Sequence, residues 1–275
     1  MQQIKLYFTK KEQVNMFFNF LVYIIFLGYS IYLFSSNLKD PFNWFMLAIA
    51  IAFLTFSVLK EFLNFHFKKA IYLLTVQCDP KAGLNQITKV ERYDLFKSFD
   101  SACLIFRVLA LLDQHDAENL SQLLDNIPTD QVKDLLLVKA YANFKITIFN
   151  KNKTQMKKAF ASLITFKDIK HKGKAIFSPL FSWEDIEAEY EYRMNDFKKA
   201  NSLLNKANMA AMNQRELAQH AFLQAEVFIQ LGKLKEAMGL YQEVVLMSSL
   251  NAYGEEAKAA IANQGVVYES PKINR

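Results

Sequence analysis

The sequence predicts an all-α protein: a two-helix transmembrane hairpin followed by a cytoplasmic α-solenoid of antiparallel helical hairpins. Three observations carry that expectation. Two long apolar runs near the start contain no charged residue. Beyond them, apolar residues recur at helical spacing with no convincing strand, and short polar turns separate the helical stretches.

The first run, VNMFFNFLVYIIFLGYSIYLFS, covers Val14 to Ser35; the second, PFNWFMLAIAIAFLTFSVL, covers Pro41 to Leu59. Each is close to the roughly 20 residues that cross about 30 Å of hydrocarbon as a helix. Neither has the polar face of a helix buried in a soluble core. The first run is longer than a signal-peptide core and no A-x-A-like site follows it, which speaks against a cleaved leader. The linker SSNLKDP is short enough for a tight hairpin.

Basic residues set the expected orientation. Lys5, Lys10 and Lys11 precede the first span, Lys39 stands in the linker beside Asp40, and Lys60, Lys68, Lys69, Lys81 and Lys89 follow the second. The positive-inside bias puts both termini in the cytoplasm of a bacterial-type cell membrane protein with two spans. The implied divisions are a cytoplasmic segment 1–13, a hairpin 14–65 with spans at about 14–35 and 42–60, a helical domain 66–265 and a tail 266–275.

The net charge of +6 comes mostly from this juxtamembrane region, where each basic residue near anionic lipid gains about 1 kcal/mol. It accompanies no docking motif, so no nucleic-acid partner is expected. Cys78 and Cys103 lack CxxC or His-pair spacing, so they are read as thiols rather than metal ligands, with Cys103 expected buried in a helix. His66, His115, His171 and His220 show no i, i+4 pair, and there is no phosphate-binding glycine loop, HExxH or GxSxG. No metal, cofactor or catalytic residue is expected, and the chain reads as a non-enzyme.

Past Lys60 the apolar pattern turns periodic, so the second membrane helix is expected to continue beyond the span. CDPKAGL, Cys78 to Leu84, breaks it, with Pro80 suited to a first helical position. Helices are then expected near 81–95, 98–112, 116–126, 130–149, 153–166, 178–193, 196–209, 214–231, 234–247 and 252–263. Two hairpins overlay without gaps. AEYEYRMNDFKKANSLLNKA from Ala188 matches AEVFIQLGKLKEAMGLYQEV from Ala225, pairing Ala188 with Ala225, Asn195 with Gly232, Ala200 with Ala237 and Leu204 with Tyr241. The alanines permit close helix crossing, Asn195 and Gly232 suit a left-handed turn, and Phe228, Leu234 and Tyr241 would fill the space between helices.

On these residues, over about 180–250, the chain resembles the tetratricopeptide-repeat family, although its period is longer than that family's usual ~34 residues and no proline closes either repeat. The resemblance implies a concave groove lined by the first helix of each hairpin: Ser182, Asp185, Glu189, Tyr192 and Arg193, then Gln219, Phe222, Glu226, Ile229 and Gln230. Such a mixture of charged, amide and aromatic groups would clamp a peptide or a partner helix; the alternative is an ordinary solvated face.

Charge runs offer a second candidate. Residues 151–174 are rich in lysine, including Lys167, Lys170, Lys172 and Lys174, and 184–196 are rich in Asp and Glu. They form either a basic surface for anionic lipid or an acidic partner, or two faces that neutralise each other across adjacent helices. Asn15 and Asn19 share a helix face at the start of the first span, placed either for a neighbouring membrane helix or for the headgroup region. The expected activity is that of a membrane-anchored adaptor whose helical domain binds a protein or peptide. The alternative is an accessory or regulatory subunit of an integral membrane complex, of transporter, secretion or bacteriocin-immunity type, acting through its transmembrane hairpin.

Overall fold

The structure, a computed structural model, describes residues 7–36, 41–127, 133–167, 169–171, 174–175 and 182–263. These form twelve α-helices: α1 (Lys10–Ser36), α2 (Pro41–Thr75), α3 (Pro80–Tyr93), α4 (Asp100–Asp113), α5 (Ala117–Asp125), α6 (Lys133–Phe149), α7 (Lys153–Ile164), α8 (Trp183–Arg193), α9 (Phe197–Leu204), α10 (Gln214–Gln230), α11 (Leu234–Ser248) and α12 (Ala252–Asn263). One exception to the all-α expectation is a two-residue antiparallel ladder, β1 (Lys170–His171) with β2 (Lys174–Ala175). The Lys39–Asp40 linker and the tail 266–275 lie outside the described residues. The chain divides into two compact units, Met1–Tyr72 with Asn85–Asp100, and Leu73–Leu84 with Ser101–Arg275.

In the first unit, α1 and α2 are both long and apolar enough to cross a membrane. They run antiparallel: Phe34 meets Trp44 edge-on at 4.6 Å at one end, and Glu12 pairs with Lys68 at the other. A capping box starts α1, where the Thr9 hydroxyl accepts from the Glu12 amide and Glu12 accepts from the Thr9 amide at 2.8 Å. Among the described residues of 14–59 only Ser30 and Ala50 are buried. Two small side chains are what a close crossing of apolar helices requires. With 35 residues at ~1.5 Å each, α2 is roughly 50 Å long and outruns a bilayer core, as its periodic second half predicts.

The second unit is built on tight helix–helix turns of one kind. Cys78, His115, Lys151, Asn195 and Gly232 each close a turn with positive φ, between +50° and +75°. In four of these turns the next amide bonds a carbonyl five residues back: Asp116 to Leu111, Asn152 to Thr147, Asp196 to Glu191 and Lys233 to Phe228, at 2.9–3.1 Å. This is the Schellman closure, and it satisfies carbonyls that the ending helix leaves open. The same following residue then caps the next helix, through the side chains of Asp79, Asp116, Asn152 and Asp196. Pro80 is the first residue of α3, as expected.

The left-handed turns expected at Asn195 and Gly232 are present, and Ala188, Ala200, Ala225 and Ala237 are all fully buried at the helix crossings. Leu204 and Tyr241 fill the matching inner positions, with Phe228 packed beside the latter cluster. Leu234 does not: it is 48% exposed on the first turn of α11. Being two residues past Gly232, it starts its helix facing outward, and the inward place goes to Ala237. A larger cluster, centred on Leu112, Leu124, Tyr141, Phe144 and Leu163, joins α4–α8. Cys103 is a buried helical thiol as expected, and the buried Cys78 lies in the turn where CDPKAGL interrupts the helices.

Candidate functional site

Buried charge in the second unit is paired across helices far apart in sequence. Arg215 of α10 donates two hydrogen bonds, at 2.5 and 2.8 Å, to the carboxylate of Asp113 at the end of α4. His220 meets Asp185 at 2.7 Å, and Lys145, only 2% exposed, donates to Glu189 at 2.6 Å. Lys145 sits in the apolar α6, and it also donates to the Tyr253 hydroxyl at 3.3 Å and lies near the rings of Phe149 and Tyr253. These partners offset the cost of burying its polar end.

Around this lysine lies a cavity of about 350 Å³. Its wall combines Lys145, Glu189, Gln219, Phe222, Glu226 and Tyr253, and its rim carries the exposed side chains of Arg193 and Lys151. On one side His115 is held by Glu256 at 2.7 Å, with its ring against Phe149 and Tyr253. On the other, Glu226 accepts from the Tyr192 hydroxyl at 2.8 Å and from the Tyr241 hydroxyl. Burial first, then the hydrogen bond and charge of Glu226, push both phenols above their usual range, so they stay protonated and act as donors. Each wall carboxylate therefore has its own donor, and Arg193, stacked over Tyr192 at 5.2 Å, and Lys151 face the opening.

Of the ten groove residues expected from the repeat resemblance, Glu189, Tyr192, Arg193, Gln219, Phe222 and Glu226 line this cavity. The other four are placed elsewhere. Ser182 caps α8 by accepting from the Asp185 amide at 3.1 Å, and Asp185 is buried against His220. Ile229 packs on the core between α10 and α11, and Gln230 lines a neighbouring cavity of about 300 Å³ with Tyr192 and Phe197. Ser182, Asp185 and Ile229 thus serve capping, pairing and packing. His115, Lys145, Lys151, Tyr253 and Glu256 belong to the cavity without having been expected there, since they come from helices and turns outside the two overlaid hairpins.

Of the basic surface, the structure describes the side chain of Lys167 alone. Lys167 pairs with Glu187, while the side chains of Lys170, Lys172 and Lys174 lie outside the described residues. Four acids of α8 are paired from several elements: Asp185 is hydrogen-bonded to His220, and Glu187 pairs with Lys167, Glu189 with Lys145 and Glu191 with Lys199 at 2.7 Å. Only Lys167 among these partners comes from the lysine-rich run. No group of three or more His, Cys, Asp or Glu side chains suited to a metal ion occurs among the described residues.

The chain matches no protein-family model, no curated protein and no solved structure. The fold and the cavity together define an all-helical chain with two apolar helices of membrane-spanning length and a second unit of helical hairpins surrounding a charged cavity.

Proposed function

We propose that the protein is a membrane-anchored, non-enzymatic adaptor. In this reading α1 and α2 span the membrane with both termini in the cytoplasm, and the second unit is a tetratricopeptide-like solenoid that binds a protein or peptide at the cavity. The observation that carries it is the division of labour at the cavity. The wall carboxylates are satisfied from within, whereas Arg193 and Lys151 present exposed cationic groups at the opening beside the Tyr192 and Phe222 rings. Such a rim favours a segment with an acidic and an apolar side chain close together. Tethering beside the membrane raises the local concentration of partners, so modest affinity at the cavity is enough.

The test is affinity capture of the full chain from mild detergent, comparing wild type with Arg193→Glu combined with Lys151→Glu. Both positions are exposed, so the fold should survive, which circular dichroism checks. Partners recovered with wild type should fall at least about tenfold with the double variant. An identical set at identical yield would sink the adaptor reading.

A second reading, an accessory subunit acting through its hairpin, is favoured by Asn15 and Asn19. Both carboxamides are exposed on one face of α1 within the apolar span, where a neighbouring membrane helix would satisfy them. Photocrosslinking from these two positions discriminates: capture of one integral membrane protein there, insensitive to the cavity variants, favours the subunit reading.

A further inference from the structure

Between α3 and α4 the chain makes a closed turn whose apex is apolar. Its sequence, DLFKSF from Asp94 to Phe99, holds Lys97 at φ +55°. The Lys97 amide donates to the Asp94 carbonyl at 3.2 Å, and the Phe99 amide donates to the Asp94 carboxylate at 2.6 Å. The turn is thus fixed by its own hydrogen bonds, and it holds Leu95 and Phe96 outward, 74% and 65% exposed. A turn apex facing water is ordinarily polar, because nothing offsets exposure of two large apolar side chains there.

Where the apex sits along α2 explains it. Tyr93 packs on Phe62 at 5.5 Å, Phe96 on Phe56 at 5.2 Å and Phe99 on Phe67 at 5.2 Å. From Tyr93 to Phe96 the chain descends α2 by six residues, about 9 Å, and from Phe96 to Phe99 it climbs back by eleven, about 16 Å. The lowest point, Phe56, lies before Lys60, within the uncharged run that forms the second span. Phe56 is itself exposed, so Phe96 extends the outer surface of the span. Arg92, over the Tyr93 ring at 5.7 Å, and Lys97 flank the apex with long cationic side chains able to reach headgroup phosphates.

We infer that the Tyr93–Phe99 turn is a third membrane contact, with Leu95 and Phe96 seated at the boundary between headgroups and acyl chains of the same leaflet that α2 leaves. The occupant is lipid, because the apolar tips continue the lipid-facing surface of the span and lie at its level. The inference rests on the membrane-spanning reading of α2, and the experiment separates the two. The full chain is reconstituted in nanodiscs of phosphatidylcholine with phosphatidylglycerol, free of other proteins, carrying one nitroxide at Leu95→Cys, Phe53→Cys or Glu236→Cys. Cys78 and Cys103 are buried, so the unsubstituted chain serves as the labelling blank. Accessibility to oxygen is compared with that to a water-soluble nickel chelate.

The expected result is a lipid-like ratio at Phe53, a water-like ratio at Glu236, and an oxygen-favoured ratio at Leu95 that is shallower than at Phe53. A water-like ratio at Leu95 with Phe53 in lipid overturns the inference and leaves the apex to a protein partner. A water-like ratio at Phe53 overturns the anchor reading itself.

Discussion

Gly232, Gly239 and Gly254 answer differently to the same substitution. Gly232 has φ +75° and open space where a Cβ would lie, so alanine there costs backbone energy alone, about 1 kcal/mol. Gly239 is exposed inside α11 with equally open space, and alanine should stabilise by about 0.5–1 kcal/mol through helix propensity. Gly254 is different in kind: its Cβ would stand 1.9 Å from the Ser248 carbonyl oxygen, so backbone must move, at about 2–4 kcal/mol. Urea midpoints should rank Gly239→Ala above wild type, then Gly232→Ala, then Gly254→Ala; a Gly254→Ala variant as stable as wild type refutes the close approach. Cys78 supplies a pH prediction. Burial, reinforced by the Asp113 charge, pushes its thiol from 9.0 up to about 12. The folded chain then keeps this proton longer than the unfolded one, so the contribution is complete below about pH 9 and declines as pH rises toward 12. Iodoacetamide at pH 8.5 should leave Cys78 unmodified in the folded chain and alkylate it after denaturation, as peptide mass spectrometry reports.

Helices in the second unit are joined by buried charge as much as by apolar contact. Removing one partner is costly: Asp113→Ala takes away the buried carboxylate that accepts two hydrogen bonds from Arg215, and it should cost about 3–5 kcal/mol. Asp113→Leu combined with Arg215→Met should recover most of that loss, so a double-mutant cycle reads strong coupling; additive losses would show that the pair is incidental. The helices themselves were legible because their boundaries are written in turn residues and apolar spacing, and α12 falls on its expected bounds. The hairpin repeat was legible only in the last two units. There Ala188 and Ala200, then Ala225 and Ala237, mark the crossings, and Asn195 and Gly232 mark the turns. Earlier crossings carry Val108 with Leu120 and Phe144 with Met156, and earlier turns place Cys78, His115 and Lys151 in the left-handed region. A signal was nevertheless present. Cys78 to His115 and Asn195 to Gly232 are both 37 residues, His115 to Lys151 is 36, and Lys151 to Asn195 is 44; the residue after the first four is always Asp or Asn. Lys145 was also readable, as one cation within NFKITIF, but its partner Glu189 was not, because the two meet only in the fold.

Across the whole second unit, contacts reach well beyond neighbouring hairpins. His115 meets Glu256 over 141 residues, Lys145 meets Tyr253 over 108, and Asp113 meets Arg215 over 102. In a linear stack each repeat touches only the next, and stability is a sum of local terms. Here Tyr253 binds together α6, α10 and the α4–α5 turn, through Lys145, Phe222 and His115. Tyr253→Ala should therefore raise amide hydrogen exchange in 103–112 and 138–148 as strongly as in 237–245, with a total cost of about 3–5 kcal/mol. Exchange that rises only in α10–α12 would mean the hairpins are independent. These long-range pairs also set a clock. At roughly 5–20 residues per second of synthesis, His115 waits on the order of 7–30 s for Glu256 to be made. Asp113 lacks Arg215 for most of that interval. The first hairpins of a nascent chain would thus lack these cross-helix partners until the last helix is made.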